Sequence, residues 1–212
     1  MKKFFCLLTI TVLTVSLSSG QNDQRAVSIL NKFSSAATSA PSVFMKFLIV
    51  REDMAENTRD SVEGSVIISK NSYKLDLPDN IIWYNGQTSW SYLPAEQEVT
   101  ITKPDKKDNS FQSRPSSVFT MYKDNYKNRL VEENKDFYII DLYPEDLKTE
   151  LIRVRLTLER PSLDLKTLEY KKKDGTTLFV IVKQYSLKKV PGPDTFTFLP
   201  DKYKNVDIID MR

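Results

Sequence analysis

Three sets of neighbouring carboxylates could move protons in this sequence: Glu52 with Asp53, Glu96 with Glu98, and Glu145 with Asp146. Paired acids divide general-acid and general-base duty when their surroundings push their proton affinities apart. Each of these pairs sits in a polar stretch that reads as a turn or a wet strand face, where a carboxylate stays ionised. The chain has no histidine, and its one cysteine, Cys6, lies in an N-terminal apolar run. Imidazole-activated nucleophiles, thiolate chemistry and Cys-ligated zinc are therefore excluded from the rest of the chain. Carboxylate, lysine or tyrosine chemistry remains open. The expectation is a protein without catalysis, metal or cofactor.

Met1-Lys2-Lys3, the apolar run Phe4 to Leu17 and the small residues Ser18-Ser19-Gly20 have the order of an export signal. We expect residues 1–20 to be a cleaved signal peptide and residues 21–212 to form one soluble, exported domain. Cys6 lies inside the apolar run rather than at its end, which argues against a lipid-modified N-terminus. Loss of Lys2 and Lys3 would take the formal charge from +3 to +1. A chain so near neutrality is a poor general binder of nucleic acid.

Any site must be positioned by strands. Val66–Ser69, Tyr73–Leu77, Ile81–Tyr84 with Thr88–Tyr92, and Glu98–Thr102 follow one another with only turns between them. In the second run Tyr73, Leu75 and Leu77 alternate with polar residues, the period-2 mark of a strand with one apolar face. Asn85-Gly86 suggests a tight two-residue hairpin turn, and Asp174-Gly175 a second. Upstream, Ala26, Ile29, Leu30 and Phe33 recur at helical spacing from Asn22 to about Thr38, with Asn22 or Asp23 as cap. That helix either packs on the sheet or forms a lid over a cavity. Ser42 to Arg51 is a strand placing Val43, Met45, Phe47 and Ile49 on one face, and Glu52 to Ser61 is a charged connection. Lys103 to Arg114 is a polar, mobile loop. Pro115–Tyr122 is a short apolar helix whose Phe119, Met121 and Tyr122 either plug the core or act as a movable stopper. Strands follow at Asp136–Tyr143, Glu150–Glu159, Leu163–Lys172, Thr177–Lys188 and Thr195–Leu199, then a tail. Lys171 to Lys173 read as an edge-protecting cluster. The fold class is mainly β: an open, incomplete antiparallel β-barrel of about ten or eleven strands, with short α-helices forming a lid.

Particular residues carry a family resemblance. Asn85-Gly86-Gln87-Thr88-Ser89-Trp90-Ser91-Tyr92 resembles the D/N-G-x-T-x-W-x-Y hairpin of the periplasmic outer-membrane lipoprotein carriers, the LolA family. Ala26 to Phe33 leading into Ser42-Val43 and Phe47, Gly64 followed by β runs, the Pro-led segment 115–122, and the ending Phe196-Thr197-Phe198-Leu199-Pro200 with Val206-Asp207 extend it over nearly the whole chain. The resemblance implies a half-barrel whose concave face takes the acyl chains of lipoproteins. It also implies three partners: acylated lipoprotein cargo, an inner-membrane lipoprotein-release transporter and an outer-membrane acceptor. In the family a basic residue ends the strand after the glycine and latches the lid. Here the turn reads Ser69-Lys70-Asn71, so Lys70 is the nearest match, and an offset of one residue would put Ser69 there. Lysine offers a point charge where arginine offers a planar fork.

On this reading the acyl-chain cavity is walled by Val43, Met45, Phe47, Ile49, Tyr73, Leu75, Leu77, Trp90, Tyr92, Val99 and Ile101. Leu30, Phe33, Phe119 and Met121 form the lid side. The expected function is a monomeric periplasmic carrier shuttling lipoproteins from inner to outer membrane. The alternatives are a non-catalytic sensor of lipid or lipoprotein, a carrier of another lipid, a carboxylate-based hydrolase and a structural envelope protein.

Overall fold

The computed structural model describes residues 23–103 and 110–212. The signal-peptide reading, Asn22, and residues 104–109 of the expected loop lie outside the described residues. Helix α1 (Gln24–Ser39) precedes six strands: β1 (Val43–Asp53), β2 (Thr58–Ser69), β3 (Ser72–Asp76), β4 (Ile81–Tyr84), β5 (Ser89–Leu93) and β6 (Glu98–Thr102). Two 3-10 turns, Pro115–Phe119 and Met121–Lys123, follow. Five more strands come next, β7 (Tyr126–Glu133), β8 (Phe137–Pro144), β9 (Leu151–Glu159), β10 (Leu165–Lys172) and β11 (Thr176–Ser186). A 3-10 turn at Pro200–Lys202 leads to β12 (Asp207–Asp210).

All twelve strands form one sheet in the order β12-β6-β5-β4-β3-β2-β1-β11-β10-β9-β8-β7, an open barrel with β12 and β7 as free ends. Neighbours are antiparallel except β12, which runs parallel to β6. The C-terminal strand expected at Thr195–Leu199 is absent, because Thr195 and Thr197 close turns onto Gly192 and Asp194. The tail supplies β12 instead. The connection expected from Glu52 to Ser61 is mostly hairpin: β1 and β2 pair from Asp53↔Thr58 inward, leaving a four-residue turn. The Asn85-Gly86 turn is also longer than expected. Asn85 Oδ1 accepts from the N–H groups of Gln87 (3.0 Å) and Thr88 (2.9 Å), which rounds off a four-residue loop before Ser89 pairs with Tyr84. Gly86, at φ +95°, supplies the left-handed residue that loop requires.

Helix α1 lies against the concave side with Ala26, Ile29, Leu30, Phe33 and Ala37 buried, an i, i+3, i+4, i+7 stripe. Its start is tied to the sheet through Asp23 and through Arg25, which pairs with Glu133 of β7 at 2.9 Å. Asp23 Oδ1 accepts the Arg25 and Ala26 N–H groups at 2.8 and 3.2 Å. Its Oδ2 accepts Leu130 N–H at 3.0 Å, and its own N–H donates to Asn128 O at 3.0 Å. Asp23 thus caps the helix and also occupies the outer edge of β7, a position that otherwise invites strand pairing. Partial burial pushes its carboxyl up, but the bonds from Leu130, Ala26 and Arg25 outweigh that and hold it below its ordinary value. Asp23→Ala should lower stability by about 1–2 kcal/mol, read by urea denaturation. Helix and edge strand should then exchange amide hydrogens faster than the central strands.

Candidate functional site

The concave face is written by cross-strand register. On β1, Val43, Met45, Phe47 and Ile49 face inward opposite Ile68, Val66, Gly64 and Val62 of β2. The face continues through Tyr73 and Leu75 of β3 to Tyr84 and Ile82 of β4. Gly64 has a specific reason to be glycine. A Cβ there would lie 2.8 Å from the Phe47 ring, 2.6 Å from the Leu77 side chain and 2.9 Å from the Asp76 carbonyl oxygen. The Phe47 ring therefore approaches bare backbone at Gly64.

Helix α1 and residues 110–123 fill most of this face. Leu30, Phe33, Phe119 and Met121, expected on the lid, are all buried in the main core cluster, with the Phe33 and Phe119 rings 5.3 Å apart. The apolar segment after Pro115 is two 3-10 turns rather than one α-helix. Specific hydrogen bonds tie residues 110–123 to the scaffold. Tyr122 Oη donates to Asn31 Oδ1 of α1 at 2.6 Å, and Asn128 Nδ2 of β7 donates to Tyr122 O at 3.0 Å. Tyr73 Oη donates to Ser113 O at 2.7 Å.

The segment expected as a polar loop contains Phe111, which is fully buried and meets Phe47 edge-on at 5.2 Å. A lone phenylalanine among polar residues gave the sequence pattern no period to read. Behind Phe111 lies a cavity of about 640 Å³, walled by Ile49, Val62, Tyr126, Leu151 and Leu178 as well as Phe111 itself. Arg51, Asp60 and Lys172 stand at its rim. The rim is the end of the half-barrel where β1 turns into β2 and β10 into β11. Of the residues expected to wall a cavity, Ile49 lines this one. Val43, Met45, Phe47, Tyr73, Leu75 and Leu77 instead pack under the helix and lid.

Trp90, Tyr92, Val99 and Ile101 do not belong to the concave wall. Register pairs Lys74 with Trp83, Trp83 with Trp90, Trp90 with Ile101 and Tyr92 with Val99, so all face away from Tyr73 and Leu75. They form a second cluster on the outer face under the C-terminal segment. Phe198 lies 5.5 Å from the Trp83 ring, and Tyr203 lies 4.9 Å from Tyr92. Ile81-Ile82-Trp83-Tyr84 is apolar on both faces, so alternation alone could not assign one. The inward positions of β5 and β6 are instead Ser89, Ser91, Thr100 and Thr102.

Lys70 is exposed at φ +52° on the β2–β3 turn. The side chain that reaches the end of the helix is its neighbour: Ser69 Oγ donates to Pro41 O at 2.8 Å. A hydroxyl on the strand side of the turn bridges that gap.

Members of two of the acidic pairs serve turns and ion pairs, and Glu98 accepts the Thr100 hydroxyl at 3.3 Å. Asp53 binds Arg51 (3.0 Å), and Glu52 binds Arg59 (3.3 Å). Asp146 accepts Lys148 N–H at 2.8 Å. The deepest carboxylate, Asp141, is on the outer face of β8, on the other side of the sheet from the cavity.

A profile described as outer membrane lipoprotein carrier protein LolA matches residues 18–175. This chain belongs to the LolA family. Its fold is similar to that of an uncharacterised conserved protein from Thermus thermophilus, at 9% identity and a TM-score of 0.60 over 88% of this chain and 99% of that one. It is also similar to a DUF1329 family protein from Desulfovibrio piger, at 13% identity and a TM-score of 0.50 over 87% of this chain and 100% of that one. A LolA superfamily protein from Nitrosomonas europaea aligns at 14% identity and a TM-score of 0.44, over 82% of this chain and 97% of that one. No curated protein sequence matches. These likenesses concern the fold.

Proposed function

We propose that this protein is a non-catalytic periplasmic carrier. It takes up the acyl chains of lipoproteins in the concave face and moves them from the inner to the outer membrane. The observation that carries the reading is the cavity of about 640 Å³ next to the apolar face that Phe111 and residues 115–122 cover. It falls in the size range of small-molecule sites, with Ile49, Val62, Phe111, Leu151 and Leu178 as its apolar lining and Ser61, Ser110, Gln112, Thr149 and Thr176 as its hydroxyl and amide lining. Each buried methylene contributes about 0.8 kcal/mol, so enclosing part of one chain supplies enough affinity without any chemistry. Residues 111–122 already occupy the rest of the face, held by the Tyr122–Asn31 and Tyr73–Ser113 bonds. Cargo then competes with the protein's own side chains, which keeps binding reversible. The partners on this reading are an acylated lipoprotein, a transporter that releases it and an acceptor that receives it.

The reading is tested by adding the purified domain to spheroplasts and looking for a soluble complex with an acylated lipoprotein. A complex supports the carrier. An empty supernatant, with a fluorescent fatty acid still bound in solution, means a carrier or sensor of another lipid; no binding of either overturns the cavity reading. Phe111→Ala gives a result of unusual sign. If Phe111 occupies space the cargo needs, its truncation raises the fraction of binding-competent protein, and the fatty acid should bind about tenfold more tightly. A fluorescence titration reads this directly. Weaker binding would make Phe111 a wall of the site instead of its internal occupant.

A further inference from the structure

Two turns flank the cavity mouth and are built alike. In the first, Asp53 Oδ1 accepts the N–H of Ala55 at 3.1 Å, and Met54 between them is 79% exposed. In the second, Asp146 Oδ1 accepts the N–H of Lys148 at 2.8 Å, and Leu147 between them is 83% exposed. In each, an aspartate closes a tight local turn and the residue after it is held outward. Both projecting residues are large and apolar, and no other large apolar side chain among the described residues is more exposed. The β10–β11 turn lies between them. A Cβ at Gly175 would sit 3.9 Å from the Met54 Cβ, Lys173 Nζ donates to Leu147 O, and Lys173 N–H donates to Glu150 O at 2.9 Å. Met54, Gly175, Lys173 and Leu147 therefore make one row beside the rim residues Arg51 and Lys172.

We propose that this end of the half-barrel docks on a zwitterionic lipid surface rich in phosphatidylethanolamine. Met54 and Leu147 enter the headgroup layer, and the cavity mouth faces the bilayer. The proposal rests on the reading of the cavity as an acyl-chain site and adds where the chain enters. Three features select this partner. Single side chains projecting from turn tips suit a fluid, deformable layer, whereas a protein partner would need matching sockets. The cavity mouth lies beside them, so a chain leaving the layer has a short apolar path. The turns carry charges of both signs with a small acidic excess: Glu52, Asp53 and Glu56 with Arg51 and Arg59 beside Met54, and Glu145, Asp146 and Glu150 with Lys148 and Lys173 beside Leu147. Mixed charge suits a headgroup layer that itself carries both signs, and the acidic excess is repelled by the surface potential of an anionic one, which falls off within a Debye length.

The test compares the protein with the double variant Met54→Ser/Leu147→Ser, whose positions are too exposed to endanger folding. Surface pressure of a phosphatidylethanolamine monolayer is recorded first. The protein should raise it and the variant should not, and phosphatidylglycerol in the film should weaken the rise. Extraction of a fluorescent fatty acid from phosphatidylethanolamine vesicles is timed next. The variant should bind free fatty acid in solution as the protein does but extract it about tenfold more slowly, the factor that partial burial of two such side chains supports. Equal monolayer pressure for protein and variant, or no pressure rise from either, overturns the proposal, the latter pointing to a protein partner. A monolayer response without any fatty-acid binding would leave the docking surface standing and overturn the cavity reading instead.

Discussion

Asp141→Ala should lower stability by about 3 kcal/mol, because it leaves two arginines facing an empty site. Asp141 is 1% exposed on the outer face of β8. Both its oxygens are engaged by Arg155, Nε to Oδ1 at 2.7 Å and one terminal nitrogen to Oδ2 at 2.9 Å. Tyr143 Oη donates to Oδ2 at 2.9 Å, and Arg153 lies 3.7 Å away while also binding Glu169. Burial alone pushes this carboxyl up. The Arg155 fork, the Tyr143 hydroxyl and the Arg153 charge outweigh burial and hold it below its ordinary value. A carboxyl that binds its proton less tightly when folded stabilises the fold above the unfolded pKa, near 4. That stability is lost as pH falls through the lower, folded pKa. Denaturant titrations across acidic pH should therefore show a wide gap between protein and variant above about pH 4, narrowing below it. A gap independent of pH would mean the cluster contributes through packing alone. Fatty-acid binding by the folded variant should be unchanged, since the cluster and the cavity lie on opposite faces of the sheet.

Phe47→Glu should abolish cargo binding, by about a hundredfold or more, since it places a carboxylate on the floor of the closed apolar face. Phe47 is 2% exposed, lies over Gly64 and meets Phe111 edge-on. A charge there must either pull in water or displace the segment carrying Phe111. The same change should cost about 4 kcal/mol of stability, within the range of large core truncations plus an unpaired charge. Phe47→Leu separates the two effects. It keeps the site apolar and roughly filled, so it should cost about 1 kcal/mol and leave fatty-acid binding within a few-fold. If Phe47→Glu still bound fatty acid normally while folded, the concave face would be core only.

The sequence alone established the architecture and most of the concave face. Alternation along β1 and β3 put Val43, Met45, Phe47, Ile49, Tyr73 and Leu75 on one side, and the structure buries all six there. The helical stripe from Ala26 to Phe33 was legible because it repeats at the period of its element, whereas the apolar cluster after Pro115, expected as one short helix, is two 3-10 turns. The absence of histidine closed off most chemistry before any fold was known.

Tertiary structure decided what local periodicity does not encode. The face taken by Trp90, Tyr92, Val99 and Ile101 follows from pairing register across β3, β4 and β5, and β4 is apolar on both sides. The cover for that outer face, Phe198 and Tyr203, comes from a segment far along the chain. Phe111 is solitary in its stretch and gained its role only from meeting Phe47. The turn chemistry was likewise settled in space: Ser69 reaches Pro41 while Lys70 stands exposed at a left-handed turn position. Period fixes which residues share a face within a strand. Which face is concave, and what closes it, depends on contacts between segments that the chain brings together only by folding.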